Sequence, residues 1–322
     1  MITLCDIPLW FLRTFAVLFG LIWGSFLNVA IHRVPKGESV VRPASKCPGC
    51  GAPIRPWNNI PIVSWALLLG RAKCCGIRIP ARYILVEAAG GLLSLALIEA
   101  VVRPMPANTS LVFATAVYAL WFALAIALIA AAFIDLEHMY IPDSISIGAI
   151  VIGLSTYWLR PPLSLIEAAC SAAAGFAVVW LVFGVLYRLI RGRTGMGMGD
   201  AKLLAVAGAW FGWQGTLFTL VAGAVQGTLV AAIILIIKGQ IDEPAAVEKE
   251  RELLLSEVAA IEDPLEREAA EKELEKDPIF EKTTHSVAGA RIPFGPFLVL
   301  AMIEYLLIGE ALLEEYWIWA GL

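Results

Sequence analysis

Long apolar runs are the feature that most restricts what this 322-residue chain can fold into. Backbone N–H and C=O groups inside a bilayer must be hydrogen-bonded within the protein, so such runs are expected to form α-helices. The composition, 59% hydrophobic and 16% charged, also excludes an ordinary soluble domain. The runs long enough to span a bilayer, or nearly so, cover residues 8–31, 83–102, 111–134, 144–158, 165–190, 203–211, 215–237 and 294–308. The sequence therefore predicts an all-α, polytopic membrane protein of about eight transmembrane helices.

The basic residues predict which side of the membrane each loop faces. Loop 31–82 carries nine Lys and Arg against the single acid Glu38, whereas the loop after the second run offers only Arg103. Loops rich in Lys and Arg stay in the cytosol, so loop 31–82 is predicted to be cytosolic. With eight crossings, segments 135–143 and 188–202 are then cytosolic as well. Run 8–31 lacks an early basic cluster and a cleavage site, which favours a first membrane helix over a secretory signal.

Two aspartates stand at the ends of apolar runs on this predicted cytosolic face. Asp135 ends the third run, and Asp200 follows three glycines, Gly195, Gly197 and Gly199. An ionisable residue at the edge of a membrane helix is costly and is read as functional by default. Glycines let a backbone approach another segment or a substrate closely. We interpret the two carboxylates as the catalytic pair of an aspartic protease.

Other polar residues near this face are interpreted as supporting ones. Asn28, in the first run, is a buried amide that needs partners near the cytosolic end, whereas Gly20 and Gly24, four residues apart, are typical of close helix packing. Asp143 follows Pro142 at the start of the fourth run, where a carboxylate is expected to serve as an N-cap. Lys202 lies two residues after Asp200.

Four cysteines lie in the predicted cytosolic loop. Cys47 and Cys50 form a C-x-x-C pair, and Cys74 and Cys75 follow about 25 residues later. Four thiolates around zinc would fold a loop that is too small to hold itself together. Adjacent cysteines do not easily both reach one metal ion, so reduced thiols with three or fewer ligands remain the alternative. A cytosolic location argues against disulfides.

Segment 238–291 differs from the rest of the chain. It holds 15 acidic and 8 basic residues, whereas the remainder holds 13 acidic and 16 basic residues. Apolar residues recur at helical spacing in its first half, which predicts one or two amphipathic cytosolic helices interrupted near Asp263 and Pro264. It is either a solvated spacer or a docking element for an assembly partner.

The order of motifs along nearly the whole chain resembles the type IV prepilin leader peptidases. The motifs that carry the resemblance are Gly24-Ser-Phe-Leu-Asn-Val29, Cys47-Pro-Gly-Cys50, Asn59-Ile-Pro-Ile-Val-Ser-Trp65, Arg82-Tyr83 with Glu87, Asp135, Ile141-Pro-Asp143, Gly197-Met-Gly-Asp-Ala-Lys202 and Ile292-Pro-Phe-Gly-Pro-Phe297. The resemblance implies an inner-membrane aspartic protease with catalytic Asp135 and Asp200. It implies cleavage of prepilins or pseudopilins after a glycine at the cytosolic boundary. It also implies structural Zn²⁺ and, where the new amino terminus is N-methylated, S-adenosylmethionine.

The chain departs from the family pattern at two places. Aligned through Gly70-Arg71 and Gly76, the second cysteine pair has Ala72 at its first position and Cys75 at its last, and Cys74 is extra. The acidic segment is also longer than the loop that the family has there.

The sequence therefore predicts that the chain has five segments, and two alternative functions remain open. The parts are a first helix (1–31), a cytosolic cysteine loop (32–82), a transmembrane core with the aspartates (83–237), an acidic insertion (238–291) and a last helix with an interfacial tail (292–322). Partners are expected to be a prepilin and membrane lipid, and nucleic acid is not expected. The rivals are an ion- or proton-coupled transporter that uses the two aspartates, and a non-catalytic assembly scaffold.

Overall fold

The protein is built from α-helices, as predicted. The computed structural model describes residues 2–191, 197–239, 245–261, 263, 266–267, 270, 274 and 292–320. Extended pairing among these residues is limited to three isolated bridges. The α-helices are α1 (Leu9–Arg33), α2 (Val63–Leu67), α3 (Arg82–Leu97), α4 (Leu111–His138), α5 (Asp143–Ser155), α6 (Leu165–Val179), α7 (Tyr187–Arg191), α8 (Met198–Lys238), α9 (Ala245–Ala259) and α10 (Gly295–Ala320). Turns of π-helix extend α3 through Ile98–Val102 and α6 through Trp180–Leu186.

Five helical stretches are long and apolar enough to cross a membrane. They are Leu9–Lys36, Arg82–Val102, Leu111–His138, Leu165–Leu186 and Met198–Lys238, and two shorter apolar helices cover Asp143–Ser155 and Gly295–Gly309. The predicted runs 203–211 and 215–237 are two parts of α8, which is broken at Gly212 (φ 69°, ψ −165°). Only glycine adopts that backbone conformation without strain. The topology of eight crossings stays a prediction.

Helix α4 lies at the centre of the bundle. One buried apolar cluster joins it to α1 and α3 through residues such as Ile31, Val86 and Phe122. A second cluster joins it to α5, α6, α8 and α10 through residues such as Leu128, Leu204 and Leu298. Because α4 contributes to both clusters, the position of its last turn depends on both halves of the chain.

Glycines let α1 and α3 pack backbone to backbone. A methyl group on Gly24 would lie 2.7 Å from the Cα atom of Glu87, and one on Gly90 would lie 2.6 Å from the carbonyl oxygen of Gly20. Any side chain at these positions would separate the helices. The packing interpretation of Gly20 and Gly24 is therefore confirmed.

The loop between α1 and α3 is anchored to the bundle by Glu87. The carboxylate of Glu87, buried on α3, accepts a hydrogen bond of 2.7 Å from the backbone N–H of Ile62. Ile62 has a positive φ of 61° and forms a three-residue turn in which Val63 N–H donates to the Pro61 carbonyl. A non-glycine residue in that conformation is strained and persists only where its surroundings hold it. The Glu87 hydrogen bond is one such restraint.

Part of the acidic segment packs against the bundle. Helix α9 contacts α4, and its Val247 and Val258 are buried while Leu253 and Leu255 are exposed. The predicted amphipathic helix is therefore present, and it ends at Ala259, before the predicted interruption near Asp263. Most of segment 262–291 lies outside the described residues.

Candidate active site

Asp135 lies in the last turn of α4 and is buried, with 6% of its surface exposed. The helix ends at His138 because Met139 adopts a left-handed conformation (φ 53°), and its N–H donates to the carbonyl of Asp135. Atom Oδ2 of Asp135 has no hydrogen-bond partner among the described residues. A buried carboxylate oxygen without a partner is rare in folded proteins and calls for a functional explanation.

Asp200 lies in the first turn of α8 and is 9% exposed. Gly197 is the N-cap of this helix, and its backbone N–H donates to the Asp200 carboxylate, as in half of a capping box. A carboxylate is also favoured at a helix N-terminus by the helix dipole. Local sequence therefore explains why an aspartate begins this helix.

The fold brings these two carboxylates together from 65 positions apart in the sequence. They are close enough for the charge of Asp135 to act directly on Asp200. The side chain of Ile141, just beyond α4, touches both Gly199 at the start of α8 and Gly295 at the start of α10. Three helix ends thus meet around the pair, and the two predicted catalytic aspartates share one site.

Gly199 and Gly197 contribute in different ways. A methyl group on Gly199 would lie 3.2 Å from Ile141, so this glycine provides the close approach that the sequence suggested. A methyl group on Gly197 would meet only Asp200 Oδ2 at 3.6 Å and the Gly199 nitrogen at 3.9 Å, both ordinary contacts. Gly195 lies outside the described residues.

Gly295 is a site residue that the sequence reasoning did not single out. Its backbone N–H faces the Asp135 carboxylate, and a methyl group at this position would lie 2.5 Å from Oδ2. The available signal was the Pro293-Phe-Gly-Pro296 sequence, which is part of the last motif that carries the family resemblance. Nothing in that pattern indicates direct contact with a residue 160 positions earlier.

Asp143 has a structural role other than the N-cap role predicted for it. The N-cap of α5 is Pro142, and no side chain caps the helix, so the prediction that Asp143 is an N-cap is wrong. Instead, the Asp143 carboxylate forms an ion pair with Nζ of Lys202 on α8. Lys202 therefore fastens the start of α8 to the start of α5 beside the aspartates.

Asn28 is buried but its partners lie on α1 and α3. It is 3% exposed, and Nδ2 donates to the carbonyl oxygens of Tyr83 (3.1 Å) and, more weakly, Gly24 (3.4 Å). Its Oδ1 has no partner among the described residues. Asn28 therefore links α1 to α3 by a hydrogen bond and does not contact Asp135 or Asp200.

The four cysteines of the loop converge on one point. The sulfur atoms of Cys47, Cys50, Cys74 and Cys75 all lie within 4.8 Å of one another. The separations are 3.6 Å for Cys47–Cys75, 3.4 Å for Cys50–Cys74 and 4.0 Å for Cys74–Cys75. The structure removes the steric objection to adjacent cysteines, because both reach the same centre, and the cluster can hold a metal ion.

Two backbone turns of the same form carry these cysteines. In the first, Cys47 N–H donates to Ala52 and Gly51 N–H donates to Cys47. In the second, Ala72 N–H donates to Ile77 and Gly76 N–H donates to Ala72. Ala72 therefore occupies the place that Cys47 has in the first turn, and Cys74 supplies the fourth sulfur from a different position.

The first turn also favours the thiolate of Cys47. Backbone N–H groups of Cys50 and Gly49 donate to its sulfur and lower the pKa of the Cys47 thiol to about 6. The thiolate is the form that binds metals.

Comparisons with known proteins follow this geometry. Residues 18–101 match the family model described as bacterial peptidase A24 N-terminal domain, and residues 122–232 match that of the type IV leader peptidase family. A protein of Myxococcus xanthus named prepilin leader peptidase/N-methyltransferase is 32% identical, over 94% of this chain and 93% of its own length.

Two further relatives carry the same name. The Pseudomonas aeruginosa protein is 30% identical over 95% of this chain and 93% of its own length. The Pseudomonas putida protein is 34% identical over 71% of this chain and 82% of its own length. No solved structure matches the chain.

Proposed function

The chain belongs to the type IV leader peptidase family, and we propose that it removes the leader peptide from prepilins or pseudopilins with the carboxylates of Asp135 and Asp200. The observation that carries the residue assignment is that these two buried carboxylates share one site at three helix ends. The relatives' name supplies the substrate class.

The chemistry follows from two carboxyl groups that share a site. Such a pair holds one proton between its members, and its protonation behaviour belongs to the pair rather than to either residue. The ionised carboxylate takes a proton from a water molecule, which attacks the scissile carbonyl carbon. The protonated carboxyl group donates its proton to the carbonyl oxygen, which gives a tetrahedral intermediate. As the C–N bond breaks, the carboxyl group that took the water proton gives it to the leaving nitrogen, and the other carboxylate recovers a proton from the hydroxyl group of the intermediate.

The position of the pair sets where the substrate is cut. Both aspartates lie at ends of helices that can cross a membrane, and the Lys and Arg distribution supports a cytosolic location for these ends. A prepilin whose leader is cytosolic and whose following segment is an apolar membrane helix presents its cleavage site at that level. We place the protein in the bacterial inner membrane with this site facing the cytosol.

Purified protein in lipid nanodiscs, incubated with a prepilin, tests this function. We expect loss of the leader, detected as a mass decrease of the pilin, with cleavage after a glycine. A transporter or scaffold would leave the prepilin intact. The relatives' shared peptidase name does not favour those alternatives.

The relatives' name also includes N-methyltransferase, and we extend the proposal to methylation of the new amino terminus with S-adenosylmethionine. In the same incubation, added S-adenosylmethionine should raise the mass of the cleaved pilin by one methyl substitution. The described residues offer no assigned site for this cofactor.

The cysteine cluster fits a structural Zn²⁺ ion. Tetrahedral zinc with Zn–S bonds of about 2.3 Å requires sulfur atoms roughly 3.8 Å apart. Three of the six separations, 3.6, 3.4 and 4.0 Å, are close to this value, and all six are within 4.8 Å. Bound zinc would cross-link the two turns of the loop, with Cys47, Cys50, Cys74 and Cys75 as its ligands.

We expect purified protein to contain about one zinc per chain, because four thiolates already stand at tetrahedral spacing. Cys74→Ala should lower the zinc content severalfold, since Ala72 cannot supply a replacement ligand. Elemental analysis by mass spectrometry measures this. Cys170→Ala, at an exposed cysteine outside the cluster, is the matched control and should retain the metal. Wild-type protein without zinc, or zinc content unchanged in Cys74→Ala, would contradict the proposal.

The acidic segment is proposed to be dispensable for cleavage and to offer a surface to an assembly partner. It carries neither Asp135 nor Asp200. Replacing residues 240–285 by a short Gly/Ser linker should preserve leader removal and lower thermal stability slightly, because α9 packs against α4. The rate of prepilin cleavage and the unfolding temperature are measured together. Loss of cleavage in a folded, membrane-inserted variant would place the segment in the active site.

A further inference from the structure

We propose that Arg82 is a positioning residue that holds Asp135 in place through Glu137, an inference that rests on the proposed role of Asp135. Guanidinium atom Nη1 of Arg82, the first residue of α3, donates to Oε1 of Glu137. Glu137 lies two residues after Asp135 in the last turn of α4. The contact therefore ties the turn that carries Asp135 to a different helix.

Both charges oppose the dipole of their own helix. The N-terminus of a helix carries partial positive charge and disfavours Arg82, whereas the C-terminus carries partial negative charge and disfavours Glu137. Neither residue is therefore explained as a stabiliser of the helix that contains it. Paired across the two helices, each charge is balanced by the other.

The pair is shielded from solvent on several sides. The side chains of Arg82 and Glu137 are 22% and 32% exposed. The guanidinium lies 5.2 Å from the centre of the Tyr83 ring, and Arg82 Nε is buried without a partner among the described residues. A partly desolvated pair of this kind is costly to break, because it leaves one charge uncompensated.

The residues that follow Arg82 on α3 are bonded to other parts of the chain. The carbonyl oxygen of Tyr83 accepts a hydrogen bond from the side-chain amide of Asn28 on α1. The carboxylate of Glu87, one turn later, accepts one from the backbone N–H of Ile62 in the cytosolic loop. The second cysteine-bearing turn closes with the bridge between Arg71 and Arg78, four residues before Arg82. These contacts fasten the start of α3 to its neighbours, and the Arg82–Glu137 ion pair connects it to the last turn of α4.

The last turn of α4 needs such a restraint. It ends at a left-handed Met139, and among the described residues the Gly295 N–H is the only hydrogen-bond donor to the Asp135 carboxylate. Without Arg82, the carboxylate of Glu137 would lose its ion-pair partner within the same helical turn that carries Asp135. A shift of about 1 Å in a catalytic group can cost on the order of a hundredfold in rate.

The test uses cleavage kinetics in nanodiscs. Arg82→Gln and Glu137→Gln should each lower kcat on the order of tenfold to a hundredfold with little change in KM. The charge reversal Arg82→Glu/Glu137→Arg should recover most of the loss. Arg13→Gln is the matched control, since Arg13 forms an inter-helix ion pair with Glu99 near the opposite end of α3. It should retain kcat even if it lowers the unfolding temperature equally.

A second readout does not depend on cleavage. Dicyclohexylcarbodiimide modifies protonated carboxyl groups in apolar surroundings, and peptide mass spectrometry gives its rate at Asp135. Arg82→Gln should change this rate severalfold, Arg13→Gln should not, and the charge reversal should restore it. Equal rates in Arg82→Gln and wild-type protein would overturn the inference, even if wild-type protein cleaved no prepilin. The inference would also be overturned if the charge-reversed variant recovered neither kcat nor the wild-type rate of modification at Asp135.

Discussion

Asp135→Asn and Asp200→Asn should each reduce prepilin cleavage on the order of 10⁴-fold, and the double variant should be little worse than either single one. The reason is that either change destroys the arrangement in which two carboxyl groups share one proton and divide the roles of base and acid. Cleavage by purified variants in nanodiscs is measured from the mass of the pilin product. Both buried side chains keep their shape in the substitution, so the fold should persist.

Asp143→Asn is the matched control for these variants. Asp143 is also an aspartate at a helix start beside the site, but its carboxylate is paired with Lys202 and is 63% exposed. An exposed ion pair is worth about 0–1 kcal/mol, so this change should cost cleavage severalfold at most. Cleavage should also persist through a brief treatment with chelator, since the aspartates activate the water. Substantial activity in a folded Asp200→Asn protein would remove the aspartic mechanism and favour the transporter reading.

Gly295→Ala should reduce cleavage on the order of a hundredfold, the second largest effect that we expect. The added methyl group would lie 2.5 Å from Oδ2 of Asp135, far inside van der Waals contact, and 3.2 Å from Ile141. Either the carboxylate or the start of α10 must move. The expected loss is in kcat, measured on the same prepilin.

Gly148→Ala is the matched control for Gly295→Ala. Gly148 is also a helical glycine, on α5, and no atom lies within 4 Å of a methyl group placed there. It should leave cleavage unchanged and slightly raise stability, since alanine is the better helix former. Full activity in Gly295→Ala would show that Asp135 is not held against this backbone during the reaction.

The predicted helices were recoverable from sequence because hydropathy acts locally. A run such as 111–134 must be helical in a bilayer whatever it packs against, and it became α4 with only four further residues at its end. The same local rule separated runs 203–211 and 215–237, between which α8 breaks at Gly212. Asp200 in the first turn of α8 also follows a local preference for acids at helix starts.

The partners of individual side chains were not recoverable in this way. The N-cap prediction for Asp143 used a sound local rule and was wrong, because Pro142 occupies the N-cap position and the Asp143 carboxylate pairs with Lys202, 59 positions away. The objection to Cys74 and Cys75 was that adjacent cysteines do not easily both reach one metal ion. Backbone hydrogen bonds repeat the turn with Ala72 in place of a cysteine, and Cys74 reaches the centre from a position that no spacing rule predicts.

Sequence by itself determined that this chain is a helical membrane protein with two aspartates and four cysteines at its predicted cytosolic face, since hydropathy and charge depend on residues close together in the chain. The family motifs added the expected chemistry. Only the tertiary structure decided that Gly295 lies against Asp135 and that Arg82 pairs with Glu137. These contacts join residues 160 and 55 positions apart. They exist because α3 and α10 both pack on α4, and that packing depends on the summed shape of several helix faces rather than on any one stretch of sequence.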